Sequence, residues 1–99
     1  MQATLKTENG VFVIAPEGRL DTVNSAELRA QIDSEDAAGL DIDFDLAGVD
    51  YISSAGLRLL VALQKQVNGQ GKTLTLRNPN KVVSEVFRVA GVGKVFKIL

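Results

Sequence analysis

Two adjacent hydroxyl residues, Ser53 and Ser54, stand in the stretch Asp50-Tyr51-Ile52-Ser53-Ser54-Ala55-Gly56-Leu57-Arg58-Leu59-Leu60, where an alternating strand gives way to the most apolar helical segment of the chain. A side chain at the first turn of a helix lies beside unpaired backbone N–H groups and the positive end of the helix dipole. Such a place suits a phosphate. Serine is also among the preferred N-cap residues, so one of the pair is expected to cap the helix and the other to be free for phosphorylation. Ser54 is read as the acceptor, with Ser53 as the second candidate. A phosphoryl group brings roughly −1.5 to −2 charges near pH 7. The helix dipole favours it by ~0.3–1 kcal/mol, whereas each ~1.4 kcal/mol of repulsion or desolvation at a docked partner weakens binding tenfold. One anion can therefore leave the domain folded and still dismantle a complex.

The remaining candidates surround that junction. Glycine inside a helix costs up to ~1 kcal/mol against alanine, so Gly56 points to close approach by a partner or a neighbouring backbone, or to packing against the sheet. Arg58, at i+4 from Ser54, can pair with a phosphate there or stand as an ordinary exposed helix residue. Asp21 and Asn24 flank the start of the first helix, as caps or as rim contacts to the partner that reads Ser54. With Ala55 these give a candidate partner surface of Asp21, Asn24, Ser53, Ser54, Ala55, Gly56 and Arg58. Asp41, Asp43 and Asp45 are spaced i, i+2 on a strand, ~6.6 Å apart, too wide for joint coordination of a cation, and read as a solvated face. Asp45 as a receiver-type phospho-acceptor lacks the acidic pair such a site wants after its first strand, where this chain has Pro16-Glu17-Gly18.

The chain has 99 residues, 45% apolar and 23% charged, as expected of one globular domain spanning 1–99. A net charge of −1 gives no basis for nucleic-acid binding. The absence of cysteine and histidine removes disulfides, thiolate and most zinc sites, and Ser-His or Cys-His nucleophile pairs. A Ser-Lys hydrolase would need a lysine linked to Ser54, and neither Lys72 nor Lys81 shows one. No apolar run reaches the ~20 residues of a membrane span, and Met1-Gln2-Ala3-Thr4-Leu5-Lys6 lacks a signal-peptide core. The expectation is a cytosolic binding or switch module without cofactor or metal, not an enzyme.

The elements that position the junction read in order. Ala3–Thr7 is a weak strand, Asn9-Gly10 a hairpin turn, and Val11–Ala15 a continuous apolar strand expected to be covered on both faces, or nearly so. Asn24 as N-cap, Glu27 three residues on and a Val23–Leu28 staple open the first helix, which runs to about Ser34. Leu40–Leu46 alternates without a break and puts Asp41, Asp43 and Asp45 on a wet face. A mostly buried helix runs from Ser54 to about Asn68. Lys72–Leu76 is a further strand, Asn78-Pro79 is read as N-cap and first residue of an amphipathic helix through Ala90, Gly91 ends it, and Val95–Leu99 closes the chain. After the opening hairpin, strands and helices alternate. This predicts an α/β fold with a mixed sheet, right-handed crossovers and three to four helices mainly on one side.

Ser53-Ser54-Ala55-Gly56-Leu57, preceded by Asp45-Leu46-Ala47-Gly48-Val49-Asp50-Tyr51-Ile52, resembles the signature of the anti-sigma factor antagonists, single-domain STAS proteins. Gly18-Arg19-Leu20-Asp21 is similar to the Gly-x-Leu-Asp that leads to that family's first helix. Phe87-Arg88-Val89-Ala90-Gly91-Val92 followed by Val95-Phe96 is similar to its C-terminal helix and closing strand. The resemblance covers nearly the whole chain and implies a STAS-like sheet. It implies binding, in the unmodified form, to an anti-sigma factor that is also a GHKL-type serine kinase, which frees the sigma factor. It further implies phosphorylation at Ser54 by that kinase with ATP, and restoration of the hydroxyl by a PP2C-type phosphatase. The family's usual motif has aspartate before the acceptor; here Ser53 occupies that position, which removes a negative charge and leaves two adjacent hydroxyls. Some STAS domains act instead as constitutive adaptors beside transporters. The switch reading requires the Ser54 oxygen to lie at the surface, near free amides.

Overall fold

A computed structural model describes residues 1–99. Its elements are β1 (Ala3–Glu8), β2 (Val11–Pro16), β3 (Gly18–Leu20), α1 (Thr22–Asp33), β4 (Asp41–Asp45), β5 (Val49–Ile52), α2 (Ser54–Gly69), β6 (Leu74–Arg77), α3 (Lys81–Ala90) and β7 (Lys97–Ile98). Asn9 and Gly10 take φ of 53° and 78°, the left-handed pair that a tight two-residue hairpin demands. They join β1 to β2 in antiparallel register from Ala3↔Pro16 to Glu8↔Val11. Every other pairing in the main sheet is parallel, and its order is β1-β2-β4-β6-β7. Parallel neighbours require crossovers, and α1, α2 and α3 fall in them. No helix is long and apolar enough to cross a membrane.

Period-two alternation decides which face is covered. Phe12, Ile14, Ile42, Phe44, Leu74 and Leu76 are buried on one face and join one contiguous core with Leu20, Leu28, Ile52, Leu60, Leu63 and Val83. The other face carries Val11, Val13, Asp41 and Asp43, all half-buried. So β2 is covered on one face, and the expectation of two covered faces is corrected. Register places Val11 beside Asp41 and Val13 beside Asp43, and the stems of those neighbours shield the valines in place of a second layer of helices. The acidic row is engaged rather than free. Asp41 Oδ1 accepts from the Thr73 amide at 2.9 Å, Asp43 Oδ2 from Arg77 Nε at 3.0 Å, and Asp45 Oδ1 from the Ala47 amide at 3.0 Å.

The structure adds two strands, β3 and β5. Gly18–Leu20 pairs in parallel with β5 in a separate two-stranded ribbon, Arg19↔Tyr51 and Leu20↔Ile52. Two helix starts also move. Asp21, not Asn24, caps α1, and Val23 is 67% exposed, so it forms no staple with Leu28. Asn80, not Asn78, caps α3 by accepting from the Val83 amide at 2.8 Å, while its Nδ2 donates to the Val49 carbonyl at 3.1 Å. Pro79 therefore precedes the cap. Asn78 instead turns the chain at φ 59°, and Gly91 ends α3 at φ 70° as expected. The closing strand shortens to Lys97–Ile98, and Phe96 folds back to lie 6.3 Å from Phe87, ring centre to ring centre.

The two asparagines give the first prediction. Asn80→Ala removes a cap and a tie to β5 and is expected to cost about 1 kcal/mol, within a range of about 0.5–2. Asn78→Gly preserves a left-handed turn and is expected to stay within about 0.5 kcal/mol. Urea midpoints of the two variants check this. The reverse ranking would restore Asn78 as the cap.

Candidate functional site

The site grows from the β3–β5 ribbon. Leu20 and Ile52 are ladder partners and both are fully buried. Each is followed at once by a cap residue, Asp21 for α1 and Ser53 for α2. Two parallel strands thus deliver two helix starts side by side. A single carbonyl holds them there: Leu20 O accepts the Ser53 amide at 2.9 Å and the Ser53 hydroxyl at 2.9 Å. The same Ser53 oxygen accepts from the Gly56 amide at a long 3.4 Å. Ser53 is therefore committed to structure as donor and as acceptor.

Ser54 is the first residue of α2 and is exposed. Its amide and that of Ala55 lie in the first turn and have no acceptor within the helix. The hydroxyl that the switch reading requires at the surface is at the surface. Beside it runs an apolar groove of about 340 Å³, walled by Tyr51, Ile52 and Leu57 on one side and by Glu85, Val86, Val89 and Ala90 of α3 on the other. Val89 is 72% exposed. At the groove's edge Glu85 accepts from Arg88 Nε at 2.9 Å, which holds the Glu85 carboxyl below its ordinary value and raises that of the Arg88 guanidinium. The edge charges offset each other, and the groove itself stays apolar.

The other sequence-derived candidates separate. Gly56 is buried, and a Cβ built on it would lie 2.6 Å from Ile52 Cγ1, 2.8 Å from Leu20 O and 3.0 Å from Leu20 Cβ. The close approach is made by the chain's own β5 and β3, so Gly56 offers no surface to a partner and is corrected from a contact to a seating residue. Asp21 Oδ1 accepts from the Asn24 amide at 2.9 Å, and Asn24 Nδ2 donates to Arg19 O at 2.8 Å. Both brace the start of α1. Ala55 and Arg58 line a second groove, between α1 and α2, with Thr22, Ser25, Leu59 and Ala62. Arg58 thus belongs to that groove and not to the one beside Ser54. The sequence reading missed Tyr51, Val86 and Val89 as site walls. For Tyr51 the signal was present, since it follows Val49 at strand spacing and so flanks the serines. For Val86 and Val89 it was not, because helical spacing alone assigned Val86 to the core and could not show α3 lying against β5 and facing the start of α2 across the groove.

This geometry has known relatives. Residues 3–99 match the family described as Mlab, STAS domain. The chain belongs to the STAS domain family. A Bordetella bronchiseptica protein, BtrV, named as a candidate anti-sigma factor antagonist, is 29% identical over 99 residues, which are 99% of this chain and 85% of that protein. A crystal structure of a candidate anti-sigma factor antagonist from Thermotoga maritima superposes with a TM-score of 0.85 at 22% identity, covering 97% of this chain and 84% of that one. The anti-sigma factor antagonist SpoIIAA in its unphosphorylated form gives 0.75 at 20% identity, over 99% and 87% of the two chains. At those identities the superpositions establish a shared STAS fold, the mixed sheet with its helices on one side.

Within this STAS domain the three junction residues carry distinct loads. Ser53→Ala is expected to cost about 0.5–2 kcal/mol through loss of the cap, and Ser54→Ala less than about 0.5 kcal/mol. Gly56→Ala gains about 1 kcal/mol of helix propensity but meets an overpacking cost of about 1–3 kcal/mol against Ile52 and the Leu20 backbone, so its net effect is destabilising. Thermal unfolding followed by circular dichroism checks all three, and a stabilised Gly56→Ala would show that β3 yields to the added methyl.

Proposed function

We propose that this chain is an anti-sigma factor antagonist, a binding module switched by phosphorylation of Ser54. The observation that carries the reading is the division between the serines: Ser53 is tied to Leu20 at 2.9 Å, while Ser54 stands exposed on the next residue, on the first turn of α2. In its unmodified form the domain captures a GHKL-type anti-sigma serine kinase and so releases a sigma factor. The kinase then uses ATP to phosphorylate Ser54, and the complex separates. A PP2C-type phosphatase returns the hydroxyl. The domain is the substrate of these enzymes and not itself a catalyst, and it meets them in the cytosol.

Physical chemistry supports docking on this face and release on phosphorylation. A docked partner covers Ser54 and fills the apolar groove between α2 and α3, where Leu57, Val86 and Val89 give it area to bury. A phosphate beneath that partner loses water, and every ~1.4 kcal/mol of the cost is a tenfold loss of affinity. In the free domain the same phosphate meets solvent and two amides of the first helical turn, a placement worth ~0.3–1 kcal/mol in its favour. Asp21 and Asn24 brace the neighbouring helix start and set the rim of the interface. The names of the relatives point to the same role.

The test is incubation with the cognate kinase and ATP, followed by mass spectrometry. One phosphoryl group is expected on the unaltered chain and on Ser53→Ala, and none on Ser54→Ala. Modification of Ser54→Ala to the same extent would move the switch to Ser53 or elsewhere. Recovery of a transport ATPase or permease on this domain, in place of a kinase, would make it a constitutive STAS adaptor.

A further inference from the structure

The cation of the β3–β5 ribbon has no carboxylate partner. Arg19 is exposed on β3, makes no ion pair, and lays its guanidinium over the Tyr51 ring, 4.7 Å from the centroid. Its backbone is pinned: its Cα is in register with Tyr51, its carbonyl accepts from Asn24 Nδ2 at 2.8 Å, and the next carbonyl, that of Leu20, holds Ser53. Tyr51 in turn lines the same groove as Ser54. The chain therefore stores a guanidinium on an aromatic ring that itself lines the groove with Ser54.

We propose that Arg19 is the phosphate-binding residue of the modified domain: when Ser54 carries a phosphomonoester dianion, the Arg19 guanidinium leaves the Tyr51 ring and pairs with it. The inference rests on Ser54 as the modified residue but not on which enzyme modifies it. An exposed cation–ring contact is weak, and a guanidinium fork on phosphate oxygens is a stronger, charge-assisted pair. The long arginine side chain supplies the reach, and the pinned backbone fixes where the reach starts. Arg58, at i+4 from Ser54, is the competing cation; it lines hollows with Ala55 and with Leu57, and separate variants of the two arginines tell them apart. The movement changes the surface twice, since it partly neutralises the new anion and uncovers the face of Tyr51. A partner that had packed on an arginine-covered ring would meet a bare ring and a bound phosphate instead.

The experiment uses the full chain with phosphoserine installed at position 54 during synthesis, so no kinase is involved. Phosphorus NMR reads the second ionisation of the phosphate, ordinarily near about 6. It is expected to rise by about half a unit in Arg19→Gln, to the value that the helix start alone sets, to rise less in Arg19→Lys, and to be unmoved by Arg58→Gln. Tyr51 is the one tyrosine and there is no tryptophan, so its ring protons are assigned to one residue and their shifts report uncovering. They should change on phosphorylation in the unaltered chain and not in Arg19→Gln. An ionisation that Arg19→Gln leaves unmoved, or that rises by as much in Arg58→Gln, overturns the assignment. Failure of any kinase to act on Ser54 would refute the switch and leave this result standing.

Discussion

The carbonyl of Leu20 is the joint on which the site depends. It ends β3, accepts both the amide and the hydroxyl of Ser53 at 2.9 Å, and lies only 2.8 Å from where a Cβ on Gly56 would fall. One oxygen thus ties the start of α2 to the residue before the α1 cap. The consequences run outward. Ser53 must be small and polar, because its hydroxyl serves a donor and an acceptor at once. Gly56 must lack a side chain, because the first turn of α2 presses on β3. Only then does Ser54 emerge at the surface on a turn held from below.

Fixing the turn from below separates stability from recognition. The groups that hold α2 in place are buried or half-buried: Leu20, Ile52, Ser53, Gly56. Those available to a partner are exposed, Ser54 and Val89, or half-buried against the edge of the core, Leu57 and Val86. A charge added to the second set perturbs the first weakly, since surface electrostatics are worth tenths of a kcal/mol to about one. The same charge beneath a docked protein is desolvated, where the cost per group rises to several times that. That asymmetry allows a phosphoryl group to act as a switch on so small a core without threatening it.

Much of this was legible in the residues. The unbroken alternation of Leu40–Leu46 fixed a strand, its buried face and its acidic face. Asn9-Gly10 fixed the hairpin, and the Ser53-Ser54 pair fixed the helix start and the expectation that one hydroxyl caps while the other is free. What stayed hidden was set by long-range geometry. Gly18-Arg19-Leu20 is too short to show a period, so β3 became visible only once β5 lay beside it. Asp21 and Asn24 are equally good caps locally, and the choice fell to Asp21 because Leu20 ends a strand and helical geometry begins at Thr22. Asn80 won over Asn78 because its amide group also reaches Val49 on β5. Val11 and Val13 look like two-sided core, yet the side chains of β4 shelter them in register. The role of Gly56 was left between a partner and the chain's own backbone, and only the distance to Leu20 decides it.

The central claim is that one phosphate at Ser54 costs the complex far more than it costs the fold. The most direct measurement compares the unmodified and Ser54-phosphorylated chains for affinity to the purified kinase by calorimetry, with the thermal unfolding of each chain recorded alone. The account predicts at least a hundredfold loss of affinity, about 2.7 kcal/mol, with unfolding midpoints that agree to within about 4 °C, the shift of less than about 1 kcal/mol in a domain of this size. Equal affinities, or a phosphorylated chain that has lost its fold, would contradict it.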